Sequence, residues 1–238
     1  LLPYTKDLLF LEDNQLVILN NKLELFDIIK FTKIKPKIIT VSWIHGQSDL
    51  TKYKSFLEKE IHEQPNILRA IANNSKEVEK IAGLINKAFG TFLIACGSAS
   101  YSCLLGSYLF SKIAKKHVNF AIGSEFNYIQ DYLTKKSLLI AVSQSGETID
   151  VVEPVSVAKK KGTKIVSMVN VIGSTLYRIA DYPVLLNAGI EKAVCSTKAL
   201  TAMFAHMVLL TYCSVDKRKL AEKIITESAK EIESILKR

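Results

Sequence analysis

Residues 138–148 read LLIAVSQSGET. The apolar run from Leu138 to Val142 shows no polar alternation, which marks a strand covered on both faces. It leads into the hydroxyl-rich turn Ser143-Gln144-Ser145-Gly146 and then into residues with helical spacing. A helix that begins there leaves backbone N–H groups unpaired and adds a partial positive charge, which together favour an anion. Ser143, Gln144, Ser145 and Thr148 add side-chain donors, and Gly146 permits a positive φ or a close backbone approach. The pattern lacks the lysine of a P-loop. Read alone, Ser145 or Thr148 could equally be a helix cap.

Outward from this stretch, five β-rich runs alternate with helical ones: Thr91 to Cys96, Val118 to Ile122, Ser137 to Ser143, Thr163 to Met168 and Tyr182 to Leu186. This predicts an α/β fold, a doubly wound, parallel five-stranded sheet in a flavodoxin-like three-layer α/β/α arrangement. With strand order 2-1-3-4-5, ligands bind beyond the carboxyl ends of the strands where the order reverses. Three polar loops fall there: Gly97 to Ser100, Ser143 to Thr148, and Ala193 to Lys198.

Before the sheet, Phe56, Leu57 and Ile61, then Ile67, Leu68 and Ile71, follow helical spacing, with Pro65 expected to open a new helix. Ser75 is expected to cap the next one. Two helices close the chain, Lys198 to Ser214 and an amphipathic Asp216 to Arg238 whose stripe is Leu220, Ile224, Ile225, Ile232 and Leu236. Pro154 falls inside a helix expected from Glu147. Residues 7–28 read as a short β-meander, too small for an independent domain. Residues 29–54 read as a linker with one strand at Lys37 to Val41.

The formal charge of +9 over 238 residues permits anionic partners. Its lysine clusters, at 115–116, 135–136 and 159–161, fall at expected element ends, so nucleic-acid binding is not expected. Cys96, Cys103, Cys195 and Cys213 lack CxxC spacing and read as buried free thiols of a reducing cytoplasm. The apolar stretch Ala199 to Cys213 is too short for a membrane helix and contains His206, read as a core histidine. The four histidines lack metal spacing, and no Ser-His-Asp order is evident. Glu147 should point away from any bound phosphate. Lys198, at a helix start, reads either as solvated or as facing an anion.

Four ordered segments, KEIHEQP (59–65), ACGSAS (95–100), VSQSGET (142–148) and NAG followed by VCSTKA (194–199), resemble the glutamine-fructose-6-phosphate aminotransferase (glucosamine-6-phosphate synthase) family. The resemblance implies that residues 55–238 are its first sugar isomerase (SIS) domain with C-terminal helices. Residues 1–54 would be the tail of a glutaminase domain plus linker. That family makes glucosamine 6-phosphate from fructose 6-phosphate and glutamine, with channelled ammonia and no cofactor. By resemblance Ser143, Gln144, Ser145, Thr148 and Ser98 bind the sugar phosphate, while Val194 and Ser196 approach the sugar. Ser98 stands where the family usually has threonine, and Ala99 replaces a phosphate-holding serine, for which Ser100 is the candidate substitute.

The family's nucleophilic cysteine and its second SIS domain, with catalytic glutamate, lysine and histidine, have no counterpart in these 238 residues. The expectation is a phosphate half-site whose partners are fructose 6-phosphate or glucosamine 6-phosphate, the glutaminase and second SIS domains of a longer chain, and a second copy in a homodimer. Catalytic residues are unknown from the sequence. The rival readings are another SIS phosphosugar isomerase or deglycase, and a non-catalytic sugar phosphate sensor. KEIHEQP, VCSTKA and the meander argue against the first rival, and the β-rich residues 1–54 against the second.

Overall fold

The computed structural model describes residues 4–40, 50 and 52–237. It divides into two compact units, Leu1–Ser48 and Asp49–Arg238. In the first, β1 (Asp7–Leu8) pairs antiparallel with β5 (Ile39–Thr40), while β2 (Gln15–Leu19), β3 (Leu23–Asp27) and β4 (Thr32–Ile34) form an antiparallel meander. Of the apolar run LLFLE (8–12), with which the expected meander over residues 7–28 opens, only Leu8 lies in a strand, and it pairs outside the meander. The third meander strand lies in residues read as linker. Its cause is the Asp27 carboxylate, which accepts the Ile29 and Lys30 N–H groups at 3.0 and 2.9 Å. That Asx-type turn folds the chain back and sets Ile34 opposite Leu25. Val41 and the expected linker residues 46–49 lie outside the described residues.

The second unit runs α1 (Phe56–Asn73), α2 (Lys76–Lys87), β6 (Gly90–Ala95), α3 (Ser98–Leu109), β7 (Asn119–Ile122), β8 (Ser137–Ser143), α4 (Ile149–Lys160), β9 (Lys164–Val169), α5 (Thr175–Ile179), β10 (Tyr182–Leu185), α6 (Lys198–Cys213) and α7 (Arg218–Leu236). Strands β6 to β10 form one parallel sheet in the order β10-β9-β8-β6-β7, the doubly wound order expected. Strand alternation assigns each residue to a layer. Leu93, Leu138, Ile140 and Val142 pack with Leu68, Ile85, Cys103 and Met207 from the helices. Phe92, Ile94, Leu139 and Ala141 pack with Val151, Val155 and Leu176 on the other face. All seven residues of β8 are buried, as its unbroken apolar run requires.

Four expectations are corrected here. Pro65 lies inside the continuous helix α1 rather than at a new start. Its missing N–H would leave the Ile61 carbonyl unpaired, and the Gln64 side-chain amide donates to that carbonyl at 3.2 Å. Ser75 precedes α2 without a side-chain capping bond and instead donates to Glu222 Oε1 on α7 at 2.6 Å. Helix α4 begins at Ile149, not Glu147. On α7 Ile225 is buried and Ile232 packs against the core as expected, but Leu220 is 44% exposed, and Ala221 and Ala229 complete the buried face. His206 is buried, as expected, with Nδ1 2.8 Å from the Ala202 carbonyl oxygen.

The α7 correction is measurable by urea unfolding. Ile225→Ala should cost about 2–4 kcal/mol, as deletion in a packed site does, whereas Leu220→Ala should stay within about 0.5 kcal/mol. His206 gives a pH signature. Burial holds its imidazole below the ordinary value, against the opposing pull of the Ala202 carbonyl. The unfolded chain therefore takes up a proton near pH 6.5 while the folded chain stays neutral. Its contribution is full above that pH and is lost as pH falls toward the lower folded value. The expected result is that His206→Gln flattens the loss of stability between about pH 7 and pH 5.

Candidate active site

Beyond the carboxyl ends of β6 and β8 lies a cavity of about 420 Å³. All seven residues singled out from the sequence line it: Ser98, Ser143, Gln144, Ser145, Thr148, Val194 and Ser196. Cys96, Ala99, Val142, Cys195 and Met203 complete the lining. No carboxylate, imidazole, amine or guanidinium is among these residues.

The turn after β8 is built by its own hydroxyls. Ser143 Oγ accepts the Gly146 N–H at 3.1 Å and lies 3.1 Å from Thr148 Oγ1. Ser145 Oγ accepts the Glu147 N–H at 3.2 Å. Thr148 occupies the N-cap of α4, yet makes no side-chain capping bond, and the Ser145 hydroxyl stays within its turn. Capping by either side chain is therefore not their role. The first N–H groups bonded within α4 belong to Val151 and Val152, both to the Thr148 carbonyl at 2.9 Å. Those of Ile149 and Asp150 precede them at the positive end of the helix.

Gly146 has φ +70°, the first expected reason for glycine, and an added Cβ would fall 2.6 Å from Ser174 Cβ, a side-chain neighbour rather than a ligand. Glu147 turns away as expected, its Oε1 accepting the Thr175 N–H at the start of α5 at 2.8 Å. Across the cavity, α3 follows Gly97, whose φ is +56°. It offers a second helix start, carrying Ser98 and Ala99. Ser100 does not stand in for the hydroxyl missing at Ala99. It is buried, and its Oγ donates to the Gly97 carbonyl at 2.7 Å.

The third side comes from the loop after β10. Asn170 joins it to the others: its N–H donates to the Gln144 carbonyl at 3.0 Å. Its side chain accepts the Ala188 N–H at 3.0 Å and donates to the Gly189 carbonyl at 2.7 Å. Glu191 Oε1 accepts the Thr197 and Ala199 N–H groups at 2.9 and 3.2 Å, capping α6. Glu60, on α1 and buried, accepts the Lys192 and Ala193 N–H groups at 2.6 and 3.1 Å. Of the two readings of Lys198, facing an anion holds, and the anion is a carboxylate of the chain itself. The lysine is buried, with Nζ 2.6 Å from Glu63 Oε2. Gln64 Oε1 accepts from Thr201 Oγ1 at 2.6 Å. The segment KEIHEQP therefore works as a clamp on the loop that presents Val194 and Ser196.

Asn170, Glu191 and Glu60 were missed from the sequence. A carboxylate followed by an unpaired helix start is a local signal that would have found Glu191. The cysteines also divide. Burial pushes the Cys103 thiol up to about 12 and the Cys213 thiol to about 11. Cys96 is only half-buried and Cys195 exposed, because both sit on the cavity wall rather than in the core.

The chain was then compared with known proteins. The SIS domain family model matches residues 84–212. A glutamine-fructose-6-phosphate aminotransferase [isomerizing] of Clostridium tetani is 34% identical over 98% of the chain, and one of Thermotoga maritima is 36% identical over 88%. The chain spans only 40% and 36% of their respective lengths. The solved C-terminal domain of glucosamine-fructose-6-phosphate aminotransferase from Francisella tularensis superposes with TM-score 0.61 at 27% identity. That match covers 80% of this chain and 56% of the other.

The turn around Gly146 provides a local test. Gly146→Ala should lower stability by about 2 kcal/mol, since both its φ and its contact with Ser174 oppose a Cβ. Adding Ser174→Gly should recover the steric part alone, read as a partial return of the melting temperature.

Proposed function

The chain belongs to the SIS domain family, and from that premise we propose that its cavity grips the phosphate of fructose 6-phosphate or glucosamine 6-phosphate. The observation that carries this reading is the convergence of Ser98, Ser143, Gln144, Ser145 and Thr148 with two helix starts around one uncharged cavity. Hydroxyl and backbone N–H donors hold a phosphate through charge-assisted hydrogen bonds, and the helix dipoles add to the attraction. Val194 and Ser196, presented by the clamped loop, would meet the sugar.

The same lining limits what the cavity does alone. Shifting a proton between C1 and C2 of a keto sugar needs a general base within hydrogen-bond reach, and none of the lining residues supplies a carboxylate, imidazole or amine. In this reading the cavity positions substrate, and the base comes from a second SIS domain of a longer glutamine-dependent aminotransferase. Residues 55–238 are then its first SIS domain, assembled as a homodimer, and residues 1–54 the tail of its glutaminase domain plus linker. Exposed Leu19, Ile29 and Phe31 in the small β unit support an apolar neighbour for it.

Calorimetric titration with fructose 6-phosphate, glucosamine 6-phosphate and unphosphorylated fructose tests the grip. Binding should require the phosphate, and a Ser143→Ala/Thr148→Ala variant should lose at least about tenfold in affinity, as expected when charge-assisted bonds are removed. Equal binding of fructose, or unchanged affinity in the folded variant, would contradict the reading.

A further inference from the structure

A second cavity, of about 460 Å³, opens at the opposite end of the sheet. Its lining includes Lys87, Phe89, Lys135, Lys136 and Lys164, and no carboxylate. Ser137 and Lys164 are the first residues of β8 and β9, so this cavity lies about 20 Å, one strand length, from the Ser143 turn.

Four exposed lysines line this one cavity, and among the described residues no salt bridge engages them. Among the described residues none of them has a carboxylate within 4.0 Å, whereas Lys159, Lys161 and Lys198 all do. Asp181, whose field reaches Lys164, is engaged by Lys159 Nζ at 2.7 Å and by the Ile165 N–H at 2.8 Å. Like charges around one concavity repel in the folded chain and focus a positive potential into it.

The frame that presents them is fixed. Ser137 Oγ accepts the Thr134 N–H at 3.0 Å, Thr134 Oγ1 accepts the Lys136 N–H at 3.2 Å, and the Lys136 carbonyl accepts the Phe89 N–H at 3.0 Å. Thr163 Oγ1 donates to the Thr134 carbonyl at 3.1 Å, tying this turn to the next strand. The stem of Lys135 lies over Gly162, where a Cβ would come within 3.1 Å of its Cγ. Phe89 is 86% exposed on the same wall, an open aromatic face among cations.

We propose that this cavity is a second anion site, built for a triphosphate chain, either free or carried by a nucleoside whose base stacks on Phe89. Lysines act as point charges toward phosphate, and a triphosphate brings several negative charges to match four ammonium groups, which orthophosphate or a sugar monophosphate does not. The volume falls within the range of small-ligand pockets. The site is independent of the cavity around Ser143.

The test is calorimetry on the chain with inorganic triphosphate, ATP and orthophosphate, at about 0.05 M salt, where screening is weak, and again at about 0.2 M. Triphosphate should bind the wild-type chain and the Ser143→Ala/Thr148→Ala variant alike, more weakly at the higher salt. It should lose at least about tenfold in affinity on Lys135→Ala/Lys136→Ala. Tighter binding of ATP that Phe89→Ala abolishes identifies a nucleoside-borne ligand, and equal binding identifies the bare chain. The proposal is overturned if wild type shows no binding at millimolar triphosphate, or if orthophosphate binds the Ser143→Ala/Thr148→Ala variant as tightly as triphosphate does. Unchanged triphosphate affinity in a Lys135→Ala/Lys136→Ala protein that melts like wild type would overturn it too.

Discussion

The complete burial of strand β8 is the constraint on which the rest of the second unit depends. A strand covered on both faces must end in a residue whose polar groups find partners inside the protein. Ser143 is that residue, 3% exposed, and its hydroxyl is met by the Gly146 N–H and the Thr148 hydroxyl. This bonding fixes a turn so tight that only glycine fits at position 146 beside Ser174. It also turns the Thr148 side chain away from capping, which leaves the start of α4 open toward the cavity. One buried hydroxyl thus converts a core strand into the edge of the proposed anion pocket.

The pocket's far wall obeys a different logic. The loop from Asn187 to Thr197 has no regular structure, so its backbone donors need partners from elsewhere. Carboxylates supply them: Glu60 from α1 and Glu191 from the loop itself. The pair between buried Lys198 and half-buried Glu63 anchors the end of the same loop to α1. Removing Glu63 would leave the buried Lys198 ammonium without its carboxylate, which makes this anchor costly to break from that side. On the proposed reading this is preorganisation, since the loop that presents Val194 and Ser196 is hydrogen-bonded on either side of them by Glu60 and Glu191.

Much of this was legible in the chain. Alternation of five short apolar runs with helical segments gave the layers and the doubly wound parallel sheet, while the order 2-1-3-4-5 entered as a condition that the structure meets. The hydroxyl-rich exits of β6 and β8 gave the cavity-lining residues. What escaped were the long-range partners. Glu60 and Lys192 are separated by 132 residues, and nothing local in either distinguishes a clamp from a solvated charge. Pro65 looked like a helix start because the rescue of Ile61 by Gln64 depends on a rotamer, not on spacing. The Asp27 turn hid a strand only three residues long, too short for any periodicity to register.

The sequence by itself determined the five strands of the parallel sheet, the helices between them, and the residue types at the sheet's carboxyl end, because these follow from local periodicity and backbone chemistry. Only the tertiary structure decided that Lys198 faces Glu63, that Ser100 turns inward while Ala99 faces the cavity, and that four dispersed lysines share one hollow beneath the sheet. The physical reason is the same in each case. A side chain's partners are chosen by packing between elements far apart in the chain, and that geometry exists only once the layers have closed.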